Sequence, residues 1–177
     1  MKKKILCVLM VLCMACALPG CSRENNLPDY VDIAALPEDY SLEDAKNDGC
    51  VVFEDHLLTS GEEEWAEFLR VTKKKWPADI RIAKYYSNPP QLFLTDVSYD
   101  GKMFTPTQPG LEPRSYKYLI RYTDADENSS SFTYSSYEYY VLMNEEGVSF
   151  SRVIDADSTG PLASQLDQFI VYTNLVE

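Results

Sequence analysis

The chain has 177 residues, 45% hydrophobic and 25% charged, the balance of an ordinary folded domain rather than of a disordered or collagen-like chain. Sixteen Lys and Arg against 28 Asp and Glu leave a formal net charge of −12, which argues against a binder of nucleic-acid backbone phosphates. One histidine and the lack of any complete catalytic signature leave few routes to enzymatic chemistry.

The N-terminus is the most specific segment. Lys2-Lys3-Lys4 precedes thirteen uninterrupted apolar residues, Ile5 to Ala17. A membrane-spanning helix needs about twenty apolar residues to cross ~30 Å of hydrocarbon, so this stretch reads as a signal segment. Leu18-Pro19-Gly20-Cys21 then resembles the lipobox of bacterial lipoproteins, with Leu three places before the cleavage point, a small residue just before it and Cys just after. The resemblance implies cleavage before Cys21 and a thioether-linked diacylglyceryl group on its sulfur. It therefore implies a cell-membrane protein, lipid-anchored and facing outside the cytoplasm. Two acyl chains, at about 0.8 kcal/mol per buried CH₂, suffice for stable anchoring where one is marginal. Loss of residues 1–20 would take the net charge to −15 and remove Cys7, Cys13 and Cys16. Cys50 would then be the sole unmodified thiol, so no disulfide is expected.

Residues 21–38, with Pro28, Pro37 and few large apolar side chains, are predicted to be the lipidated Cys21 and a flexible tether reaching some 50 Å. A single domain is expected over 39–177. Ser41 with Asp44 forms a capping pattern for a short helix ending at Asp48-Gly49. Cys50 to Phe53 reads as a strand, with a turn around Glu54 to Leu58. Ser60-Gly61-Glu62-Glu63 reads as a second capping box. Behind it Trp65, Phe68, Leu69, Thr72 and Trp76 recur at helical spacing, so the main amphipathic helix is expected over about 61–76. Glu62-Glu63-Glu64 and Lys73-Lys74-Lys75 complement its dipole.

From Ala78 the period switches to two. Ile80 and Ile82, then Phe93 to Tyr99, alternate, and Asp100-Gly101 suggests a tight hairpin. Tyr116 to Tyr122 and Tyr137 to Met143 alternate likewise. A further strand is expected over Val148 to Ile154, a short helix after Pro161 and a last strand over Phe169 to Tyr172. The fold class is α+β: an antiparallel sheet of about five to six strands, one main helix and short flanking helices.

Asp48-Gly49-Cys50-Val51-Val52, Trp65 with Phe68, Ile80-Arg81-Ile82 to Tyr86, Tyr116-Lys117-Tyr118-Leu119, Tyr137 to Asn144 and Val171-Tyr172-Thr173 carry a resemblance beyond the lipobox. On them the chain resembles small lipoproteins of Gram-positive, clostridial-type bacteria that carry a domain of unknown function. The resemblance implies one exported α+β domain and carries no catalytic residue, metal or cofactor with it.

Chemistry-bearing patterns are sparse. Asp155-Ala156-Asp157-Ser158-Thr159 has the form of a phosphatase D-x-D-x-T motif, but without the parallel α/β domain that must follow it. The Asp124/Asp126 and Asp155/Asp157 pairs suggest at most weak calcium loops, since neither supplies the closing bidentate Glu. Cys50 with His56 would need hydrogen-bond proximity to form a dyad, and a buried Cys50 with a surface His56 is the expected arrangement. Tyr occurs 13 times and offers rigid amphipathic contact area, so Tyr116, Tyr118, Tyr122, Tyr137 and Tyr139 form a candidate binding face for a protein or glycan. The expected function is a membrane-anchored, non-catalytic binding module. The alternative is an extracytoplasmic hydrolase whose carboxylates, dispersed in sequence, meet in one cleft.

Overall fold

The computed structural model describes residues 26–123, 136–157 and 166–176. The signal segment with Cys21, the Asp124/Asp126 pair and the helix expected after Pro161 lie outside those residues. Over the described residues the chain is an α+β fold of three α-helices and eight strands in two sheets. In chain order come α1 (Leu42–Asn47), β1 (Val51–Glu54), β2 (Leu57–Ser60), α2 (Glu62–Lys73), β3 (Ala78–Ser87), β4 (Pro90–Tyr99) and β5 (Phe104–Thr107). Then follow β6 (Tyr118–Thr123), β7 (Ser136–Met143), α3 (Phe150–Asp157) and β8 (Gln168–Val176).

The first sheet runs β2-β1-β3-β4-β5 and the second β6-β7-β8. All neighbouring strands are antiparallel except β1 and β3, which pair in parallel with α2 in the connection between them. Helix α2 is the axis of the molecule. Its Trp65, Phe68 and Val71 pack on Val51, Phe53, Ile80, Ile82 and Val97 of one sheet and on Tyr140, Leu142 and Tyr172 of the other. Full burial of a side chain such as Phe68 contributes about 1.5–3 kcal/mol. The sheets meet at both borders, through a Phe104–Tyr116 bridge and through Leu175 N–H donating to His56 O at 3.0 Å, so they enclose α2 from two sides.

Each sheet also has a covered outer face. Helix α1 and the incoming chain cover the first, where Ala45, Cys50, Val52 and Ala83 gather with Tyr30, Tyr40 and Leu92. Helix α3 covers the second, through Val153 and Ala156 against Val141, Met143 and Tyr122.

Several expectations are corrected. The capping pattern at Ser41 forms in full, but the second does not: α2 is capped by Gly61 in a left-handed conformation with no side-chain bond. Asp100-Gly101 sits in a four-residue loop, since Tyr99 pairs with Phe104. Val148 to Ile154 is not a strand. Ser149 Oγ accepts from Arg152 N–H at 3.4 Å, and Phe150, Val153 and Ala156 recur at threes, so the helical period prevails.

The segment 26–38 is not free either. Leu27 packs on the core, and the Tyr30 hydroxyl donates to Gly49 O at 2.9 Å. Arg81, 1% exposed, donates to Val31 O at 2.5 Å, pairs with Asp96 at 2.7 Å and lies 5.1 Å from the centre of the Tyr30 ring.

Candidate binding groove

The five candidate tyrosines do not form one open face. Tyr118, Tyr122, Tyr137 and Tyr139 share a face by strand parity, with Tyr122 directly opposite Tyr139. That face is the one α3 covers. Phe150 stacks on Tyr122 at 5.7 Å and meets Tyr139 at a tilt at 4.8 Å, and the Tyr122 hydroxyl donates to Val148 O at 2.9 Å. Tyr122 is 7% exposed, and Tyr116, 3% exposed, lies in the core beside Phe104. Tyr137 and Tyr139 are half-buried in contact with each other, which leaves Tyr118 at an opening.

That opening is a groove of about 680 Å³ where the sheets diverge beside the C-terminal end of α2. Its walls include Leu69, Tyr99, Phe104, Leu119 and Tyr140, and four cations and one carboxylate border it: Lys73, Lys75, Lys117 and Arg121 with Glu146, which acts on Lys117. Lys117 lies over the Tyr118 ring at 4.9 Å. Arg121 is paired with Glu138, whereas no described carboxylate is within ion-pair distance of Lys73 or Lys75. Burial raises the Tyr99 and Tyr140 hydroxyls above their ordinary range, so both stay neutral donors. One long side is β6, an edge strand whose outer backbone groups no other named strand pairs.

Lys75 is set there by the helix terminus. Lys75 N–H donates to Thr72 O at 2.8 Å and Trp76 N–H to Val71 O at 3.3 Å, the paired bonds of a Schellman motif. The residue at that position must be left-handed, and Lys75 has φ +57° where glycine is the usual occupant. As a dipole complement, Lys73-Lys74-Lys75 gives no sign of this conformation in the sequence. The signal was a lysine, rather than Gly or Asn, just ahead of Trp76-Pro77.

The remaining patterns come apart. Cys50 is buried and free at the start of β1, where burial pushes its thiol up to about 11. His56 is exposed in the turn beyond the far end of that strand; the four steps from Cys50 to Glu54 alone span about 13 Å at ~3.3 Å per residue, so there is no dyad. Asp155 and Asp157 lie on α3 rather than in a calcium loop, and residues two apart on a helix do not face each other. Among the described residues no group of three or more His, Cys, Asp and Glu is placed to hold a metal ion. Asp29, Asp32, Asp79 and Asp96 do line one cleft of about 370 Å³. Of these, Asp96 is held by Arg81 and Asp32 accepts from Ala34 N–H at 2.8 Å.

No protein-family model matches the chain, and no curated protein or solved structure is significantly similar to it.

Proposed function

We propose that this protein is a lipid-anchored, extracytoplasmic, non-catalytic binding module that takes an extended acidic segment of a partner protein along the β6 edge. The observation that carries the reading is the pairing of a strand edge that no other described strand covers along Tyr118–Tyr122 with Lys73, Lys75, Lys117 and Arg121 in a chain of net charge −12. An extended peptide completes such an edge through main-chain hydrogen bonds, while side-chain pockets select its sequence. Overall repulsion does not prevent this. At physiological ionic strength the screening length is about 8 Å, so a segment in the groove senses the nearby lysines far more than distant carboxylates. The apolar walls accept one or two large side chains of the peptide.

Lys75 provides a test that separates binding from folding. Lys75→Gly relieves the left-handed strain and is expected to stabilise the protein by about 0.5–1 kcal/mol. The same change removes a cation from the groove. Binding of a fluorescein-labelled, glutamate-rich peptide carrying one phenylalanine, followed by anisotropy on the full-length chain, should weaken about three- to tenfold while the melting temperature rises. Binding unchanged in both Lys75→Gly and Lys73→Glu/Lys117→Glu would remove the groove from the proposal. An anionic polysaccharide bound in place of the peptide would reassign the partner class.

The anchor rests on the lipobox resemblance at Leu18-Pro19-Gly20-Cys21. Labelled palmitate is expected to enter the wild-type chain in a Gram-positive host and not a Cys21→Ala chain. Equal incorporation into both would place the acyl group elsewhere.

A further inference from the structure

A second opening lies at the border of the first sheet with β8, away from the groove. Lys84 is on the face of β3 that carries Ile82 inward, since the two residues are two apart on the strand. Its pairing partners are Phe53 on β1 and Phe93 on β4, so its aliphatic stem is flanked by two aromatic residues. Phe53 is buried, and Phe93 is 41% exposed. The Lys84 side chain borders a small cavity of about 50 Å³ together with Phe53, His56, Tyr86 and Thr173. No described carboxylate or carbonyl is within hydrogen-bond or ion-pair distance of its amine; Asp157 acts on it only from further away. Burial lowers that amine to about 8.

The rim of this cavity is held in place at some cost. Asp55 and His56 form the two-residue turn between β1 and β2 with φ +46° and +74°, where Asn-Gly is the favoured pair. The Asp55 carboxylate accepts from Ser87 N–H at 2.9 Å and Ser87 Oγ–H at 2.7 Å, which ties the turn to β3. The His56 ring meets Tyr86 edge-on at 5.5 Å, and Tyr86 meets Phe93 at 5.8 Å. The result is a fixed aromatic rim above a lysine that has no described ion-pair partner at contact distance, Asp157 being the counter-charge that acts on it from further away. Strained backbone of this kind gathers where a site must be held in shape.

We propose that this cavity binds a small monocarboxylate, its oxygens paired with the Lys84 ammonium and its apolar part against Phe93 and Tyr86. The volume of about 50 Å³ admits the carboxylate group alone; the tail lies outside it, past Tyr86 and toward the exposed Phe93 ring, which touches Tyr86 but does not itself line the cavity. This inference stands independently of the β6 groove, which shares no residue with it.

Benzoate is the probe, titrated into the purified full-length chain by calorimetry, with acetate as comparator. The charged and titratable groups around Lys84 are Asp55 and His56 on the turn, Tyr85 and Tyr86 on β3, and Asp157 on α3. Saturable benzoate binding in the millimolar range is expected, about tenfold weaker in Lys84→Met, as befits loss of a charge-assisted pair. Phe93→Ala and the replacement of benzoate by acetate should each weaken binding about threefold or more through loss of ring contact. At pH 9 binding should draw a proton from buffer, because the carboxylate restores the ammonium form. That uptake should persist in His56→Gln and Tyr86→Phe and vanish in Lys84→Met. Were Lys84→Met to misfold by near-ultraviolet circular dichroism, Phe93→Ala and the proton uptake of the wild type would decide. Wild-type chain that fails to saturate with benzoate, or that binds it at pH 9 without proton uptake, overturns the assignment.

Discussion

Gly61→Ala is expected to destabilise the protein by about 3 kcal/mol or more, through left-handed strain and overpacking together. A Cβ at this position would lie 2.4 Å from Cys50 O and 2.6 Å from Val51 Cα, and φ is +82°. Both obstructing atoms are backbone, so no side chain can swing aside. Either β1 must leave its parallel register with β3 or α2 must start differently. The second course would displace Trp65, four residues on, from its contacts with Tyr140 and Tyr172 at 5.0 and 4.8 Å. Gly147→Ala is the control, with φ +71° and nothing within 4 Å of a new Cβ. It should cost about 1 kcal/mol from backbone conformation alone. Urea midpoints of the two variants should therefore differ clearly at constant slope. Similar midpoints would mean that β1 yields to the methyl group.

Arg81→Ala is expected to cost about 3–5 kcal/mol, the usual penalty for breaking a buried ion pair from one side. The guanidinium is 1% exposed and reaches Asp96 through both Nε, at 2.7 Å, and a terminal nitrogen, at 2.8 Å. Its remaining bond, to Val31 O, ties the incoming chain to β3. Loss of the side chain leaves Asp96 without its partner and Val31 O without its donor. Lysine should not restore the wild-type value, because a single ammonium cannot reproduce the two-pronged contact. Limited proteolysis provides the second measurement. Cleavage near residues 29–33 should become rapid in Arg81→Ala while cleavage elsewhere follows global stability. Unchanged protection of that segment would show that Leu27 and the Tyr30 bond to Gly49 dock it without Arg81.

Much of the fold was legible where one period had no competitor. Trp65, Phe68, Leu69, Thr72 and Trp76 admit only a helix, and Tyr137 to Met143 only a strand. Val148 to Ile154 satisfied both periods, and the cap at Ser149 was the feature that decided it. That one segment also hid the fate of the tyrosines. Alternation places Tyr118, Tyr122, Tyr137 and Tyr139 on one face, but the same alternation in Val148 to Ile154 hides the helix that covers it. The parallel pairing of β1 with β3 was masked by β2, which interrupts the strand–helix–strand pattern with a hairpin. The cationic groove could not be read at all, because it joins Lys73 and Lys75 to Lys117 across more than forty residues of intervening sheet.

The docked incoming chain also sets how far the domain could stand from a membrane. Leu27 already belongs to the core, and six residue steps separate it from Cys21. At no more than about 3.6 Å per step, those residues span roughly 20 Å. A molecule moored at Cys21 would ride low on the bilayer, within reach of neighbours gliding in the same leaflet and poorly placed to sample the outer wall.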